Sequence, residues 1–263
     1  KKIKAELKKL LENDAESYKK FWNSFGKQIK YCIASDYGMH KDALLDLAMF
    51  KSSFEGKNVT FEEYKERMKE DQKYIYYAAG ENENHIKNLP QTERILDKGY
   101  EILWCTDEVD EFVMRIVAEY DGKEIKSVND DDAIPENEEE KKENEQKVED
   151  NKDVLGFVKE VLGDKIKEAR ISKILKSHAC CLTTDGSVSI EMEKYMRKQG
   201  DDLENFSVEH ILELNADSEV FAALKDAVGN DKEKAEKYDK KYQEEFIANA
   251  DKRAALCIKA QKA

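Results

Sequence analysis

The chain has 263 residues, with 40% hydrophobic and 39% charged side chains. That is enough apolar material for two cores, under a surface well above the ordinary quarter of charged residues. A net charge of −13 repels phosphate backbones, which argues against nucleic acid or an anionic membrane as partner. Five Cys at no framework spacing predict reduced thiols and a cytoplasmic protein. No apolar run approaches a membrane span, and no signal peptide is visible. The chain opens on Lys1 inside a helical pattern, which predicts a piece of a longer protein.

Ile3, Leu7, Leu10 and Leu11, then Tyr18, Phe21, Trp22, Phe25 and Ile29, recur at helical spacing, with Asn13 or Asp14 as cap of the second helix. Asp36 to Gly38 reads as a loop, and Leu44, Leu45, Leu47, Ala48 and Met49 as another amphipathic helix. Thr60 and Glu63 fit a capping box for a helix running to about Lys69. Tyr74 to Ala78 is apolar on both faces, as a central parallel strand should be. Asn84 to Lys98 reads as helical around Pro90, and Gly99 stops it. Tyr100 to Cys105 is the next strand, Asp107 a cap for a helix from Glu108 to Ala118, and Asp121-Gly122 a turn into a third strand, Lys123 to Val128. Strand, helix, strand, helix, strand predicts a small three-layer αβα unit over 51–128, behind a helical part over 1–50.

Asn129 to Lys152 is almost wholly polar and predicts a solvated acidic linker or an exposed helix, with the domain boundary there. Beyond it, Val154 to Leu162 is a helix closed by Gly163, and Ile166 to Leu175 and Ala179 to Thr183 are strands. Asp185-Gly186 turns into a helix from Ser189 to Lys198, ended by Gly200. Phe206 to Leu214 returns to extended structure, and Asp217 or Ser218 caps a helix through Val228, closed by Gly229. From Asp231 onward one or two long helices are predicted, with Tyr238, Tyr242, Phe246 and Ala250 at four-residue spacing. The second domain, 153–263, is thus a mixed α+β unit.

Nothing in the chain forms an evident catalytic centre. His178, Cys180 and Cys181 are the one His/Cys cluster, but adjacent cysteines on a strand point to opposite faces and converge poorly on a metal. A nucleophile at Cys180 with His178 as base ranks last among the readings, and satisfied core residues explain the cluster better. The carboxylates Glu62-Glu63 and Glu108/Asp110-Glu111 are better explained as helix caps and solvated faces than as catalytic pairs, since Asp and Glu favour helix first turns. No phosphate-cradling glycine loop is present.

Several stretches, in order, resemble the heat-shock protein 90 chaperone family in its bacterial, HtpG-like form. They are Phe21-Trp22-Asn23-Ser24-Phe25-Gly26, Arg67 to Asn82, Leu89-Pro90-Gln91-Thr92, Gly99 to Phe112, Glu119 to Lys123, Val158 to Lys165, Cys180 to Thr184 with Met192-Glu193, and His210 to Asn215. The resemblance implies the rear part of a middle domain, 1–128, followed by a C-terminal dimerisation domain. It implies that the whole protein is an ATP-driven dimer whose ATP and Mg lie in a preceding domain, so that this stretch holds no cofactor and is no enzyme alone. It further implies binding of partly folded client proteins through Glu111, Phe112 and Arg115, and through Val188, Met192, Tyr195 and Met196. Those last four share one helical face, and a flexible Met suits a promiscuous surface. By pattern alone such a stripe reads as core. Dimerisation is implied for the terminal segment, where Tyr238, Tyr242, Phe246 and Leu256 are candidates, although the paired leucines and Pro loop usual in the family are missing there. A structural module that dimerises or couples domains without binding clients is the alternative.

Overall fold

The computed structural model describes residues 2–35, 37–39, 41–130, 132–185, 188–198 and 208–230. Within it the chain divides into two compact units, one of residues 1–135 with 183–208, the other of residues 136–182 with 209–263. The sequence predicts a boundary within the acidic stretch. The units divide after Pro135, inside that stretch, and the segment around 183–208 groups with the first of them.

The first unit opens with α1 (Lys2–Asn13) and α2 (Ala15–Ser35). Asp14 caps α2, accepting the Ser17 amide at 3.1 Å. A short α3 (Lys41–Leu44) runs through a 3-10 turn, Leu45–Leu47, into β1 (Met49–Ser52). The predicted helix through Met49 is therefore wrong at its end. Met49 pairs with Thr60 of β2 (Asn58–Thr60) in an antiparallel hairpin. Then follow α4 (Phe61–Glu66), β3 (Ile75–Ala79), α5 (Glu83–Lys87), α6 (Pro90–Asp97), β4 (Ile102–Cys105), α7 (Asp110–Val117), β5 (Glu119–Tyr120) and β6 (Lys123–Ser127).

The six strands form one sheet in the order β2-β1-β4-β3-β6-β5. The central three are parallel, with Tyr76 opposite Ile102 and Lys126. The side chains of β3 alternate between two faces, both of them buried. Ile75 and Tyr77 join Tyr18, Trp22, Phe50, Leu103, Val113 and Val117 in one cluster, on the side carrying α2 and α7. Tyr76 points the other way, stacking on Tyr100 at 5.8 Å and donating its hydroxyl to the Ala133 carbonyl at 2.7 Å. Helices thus lie over both faces, as a parallel core requires. Asp121 and Gly122 both take positive φ, 45° and 76°, in the tight turn of the edge hairpin β5–β6. The capping box at Thr60 forms as expected, and Pro90 opens α6 at a position that needs no amide donor.

The second unit begins with α8 (Glu138–Glu149), which has no buried residue, and α9 (Lys152–Leu162). β7 (Glu168–Ile171), β8 (Cys180–Thr184) and β9 (His210–Leu214) make a three-stranded sheet ordered β7-β9-β8. The chain passes between units within β8. α10 (Ile190–Lys198) belongs to the first unit, and α11 (Glu219–Asn230) closes the second. Val154, Phe157, Val158, Leu162, Ile171, Leu214 and Phe221 form the second core. Arg170 faces Glu213 across β7 and β9, its guanidinium 2.7 Å from a carboxylate that also accepts the Ser172 hydroxyl. Two expectations need correction here. The strand predicted from Ile166 to Leu175 shortens to four residues, and Gly229 lies inside α11 rather than ending it. The expected Gly200 stop, the start of the Phe206 strand and everything from Asp231 on lie outside the described residues.

Candidate functional site

α7 and α10 carry six of the seven residues expected to form a working surface, and Val188 precedes α10. α7 is anchored from beneath. Lys30 of α2, 6% exposed, sets its ammonium 2.7 Å from Asp110 and 3.0 Å from Asp107. The same ammonium lies 4.8 Å from the Phe50 ring centroid. Burial works against the Lys30 charge, but Asp110 and Asp107 outweigh it and raise its pKa. Asp107 does not cap α7 as expected. Its carboxylate goes to Lys30, while its backbone amide donates to Asp110 at 3.0 Å. Val109 precedes the helix with no side-chain cap.

The next residue after Asp110, Glu111, is buried at 4% exposure. One oxygen accepts Arg115 at 3.1 Å and the other the Ser189 hydroxyl at 2.5 Å. Burial raises the Glu111 pKa, and the Ser189 and Arg115 contacts offset only part of that rise. Ser189 in turn accepts the Met192 amide at 3.0 Å, capping the first turn of α10. Phe112 and Tyr195 then meet edge to face, ring centroids 5.7 Å apart and planes at 69°.

The structure therefore brings α7 and α10 together, but not as seven exposed contacts. Glu111 and Met192 are buried, and Phe112, Arg115, Val188, Tyr195 and Met196 are partly buried. Met192 lies in the support beneath this surface. Among the described residues the most exposed large apolar side chains stand elsewhere, at Tyr37, Met39, Ile3 and Phe25. Beside Arg115 a groove of ≈ 460 Å³ is lined by Tyr77, Lys126, Asp130 and Asp185 among others. Ser189 and Lys30 were not singled out from the sequence. A Ser just before a helix signals a cap, but its second bond to Glu111 depends on tertiary approach that no local pattern encodes.

Cys180 and Cys181 do not form an activated nucleophile. Burial raises the pKa of Cys180 and of Cys181, the reverse of what thiolate chemistry needs. Among the described residues no cluster of His, Cys, Asp or Glu could hold a metal ion. No helix among them is long and apolar enough to cross a membrane.

The Hsp90 protein family matches residues 1–247 of this chain, and the chain belongs to that family. Within it the chain is similar to bacterial proteins named chaperone protein HtpG. It is 52% identical to that of Clostridium acetobutylicum over 237 residues, which is 90% of this chain and 38% of the relative. It is 47% identical to that of Bacillus subtilis over 238 residues, again 90% of this chain and 38% of the relative. The chain thus spans well under half the length of these relatives. The solved middle domain of a Plasmodium falciparum heat shock protein is 33% identical with a TM-score of 0.46, covering 49% of this chain and 53% of that one.

Proposed function

We propose that this chain is the rear middle-domain part and C-terminal part of a cytoplasmic, ATP-dependent dimeric chaperone, and that it binds partly folded client proteins at the α7–α10 surface. The observation that carries this is the convergence of Phe112 with Tyr195 on α10, the helix that also carries Met196 and follows Val188. These apolar groups are partly buried in a protein of net charge −13, so unfolded chains with basic and apolar segments would find both burial and charge complementarity there. ATP and Mg would act in another part of the whole protein, and this stretch would have no enzymatic role of its own. Dimerisation through the segment holding Tyr238, Tyr242, Phe246 and Leu256 belongs to the same proposal. Light scattering over a concentration series should then give twice 30.5 kDa, and a persistent monomer would remove that part.

A reduced and alkylated disulfide protein, unable to refold and carrying a fluorophore, provides the test by anisotropy. Tyr195→Glu with Met196→Glu should weaken binding by roughly tenfold or more, the usual loss at an aromatic anchor. Unchanged affinity would sink the assignment of the surface. Met192→Glu is a poor probe because it would place a charge in a buried site.

A second reading has an observation in its favour. Glu111 and Ser189 bond each other in the interior, which suits a module that couples segments and holds no client. Under that reading the double Glu variant would leave client affinity untouched.

A further inference from the structure

The Ser189 hydroxyl does two jobs at once. It accepts the Met192 amide at 3.0 Å and donates to Glu111 at 2.5 Å. A hydroxyl has one proton to give and lone pairs to receive, so both bonds use one oxygen without conflict. Ser189 is 5% exposed and Glu111 4%, so neither bond competes with bulk water. The other Glu111 oxygen is held by Arg115, one turn along the same helix. The carboxylate is thus fixed by α7 and receives the first turn of α10. Tyr195 lies six residues past Ser189 on α10, and Phe112 is the residue after Glu111 on α7. The pair that makes the rings meet therefore flanks the pair that locks the helices.

We propose that Ser189 and Glu111 are positioning residues, a buried latch that sets α10 against α7 and so fixes Tyr195 on Phe112. This rests on the proposed client surface, and it reassigns Glu111 from client contact to internal support. The latch makes a requirement that helix capping alone does not. The side chain at 189 must accept from α10 and donate to Glu111 together. Asn meets both conditions, with its carbonyl oxygen and its amide. Asp caps a helix as well as Asn does, but it only accepts, and it sets a second carboxylate against Glu111.

Ser189→Asn and Ser189→Asp in the full chain therefore separate the two roles. The structural readout is the nuclear Overhauser contact between the Phe112 and Tyr195 rings, and the functional one is anisotropy with the alkylated unfolded protein. The latch predicts that Ser189→Asn keeps the ring contact and that Ser189→Asp loses it, with client affinity lower by roughly tenfold. Retention of the ring contact in Ser189→Asp, or equal loss in both variants, overturns the latch. Should Ser189→Asp not fold, Ser189→Ala takes its place, with loss of the contact expected and its retention decisive against. The two proposals fail separately. A broken ring contact with client affinity indifferent to Tyr195→Glu leaves the latch standing and removes the client reading. The converse pattern removes the latch and leaves the client surface.

Discussion

Lys30 shows how much one buried charge can decide. Its ammonium neutralises Asp110, itself 1% exposed, whose own pKa burial raises. Lys30→Met removes the partner and leaves that carboxylate uncompensated, so urea unfolding should show a loss of about 3–5 kcal/mol. Adding Asp110→Asn should restore part of it, and a single-variant loss below about 1 kcal/mol would show that water already reaches the pair. Glu111 makes the complementary statement about pH. Its folded pKa lies above the ordinary 4.5, so the folded state holds that proton more readily than the unfolded chain. Stability from this group is then present at low pH and is lost as pH rises from 4.5 through the raised value. Arg115 and Ser189 restrain the effect, and Glu191 adds to it. Measured against Glu111→Gln, wild type should lose relative stability as pH rises across that window. A flat or opposite difference would mean that the carboxylate is not desolvated. The family resemblance implies Glu111, Phe112 and Arg115 as a group but not the direction they face. The Ser189 hydroxyl that Glu111 accepts comes from 78 positions away in the chain.

At the scale of elements, local chemistry was read well where it is self-contained. Thr60 accepts the Glu63 amide while Glu63 accepts the Thr60 amide, and both bonds lie within four residues. Thr60→Ala should cost about 1 kcal/mol in thermal or urea unfolding. A cost near zero would mean that the β1–β2 hairpin holds the chain entry unaided. The parallel strands β3 and β4 were legible because burial on both faces leaves a continuous apolar run. β1 was not, since Leu44, Leu45, Leu47, Ala48 and Met49 satisfy a helical period and only pairing of Met49 with Thr60 of β2 extends the last of them. β2 and β5 were also missed, being three and two residues long and defined by their partners. Asp107 was misread for a similar reason, because Lys30 captures its side chain from another helix.

For the whole molecule, the order of motifs carried more than any one site, and membership of the Hsp90 family bears that reading out. What the order did not convey is that the segment 183–208 groups with the first unit, so that α10 meets α7. That meeting joins two sets of residues that the sequence keeps nearly eighty positions apart, and the proposed client surface depends on it. Photo-crosslinking tests the claim most directly. A benzophenone side chain replaces Met196, Phe112 or, as controls, Tyr37 and Met39, which are 91% and 80% exposed. Each variant is irradiated with the alkylated unfolded protein. Crosslinks concentrated at 196 and 112, with little at 37 and 39, are the predicted result. Equal yields at all four, or greater yields at the more exposed controls, would contradict it, since binding would then follow exposure rather than the α7–α10 surface.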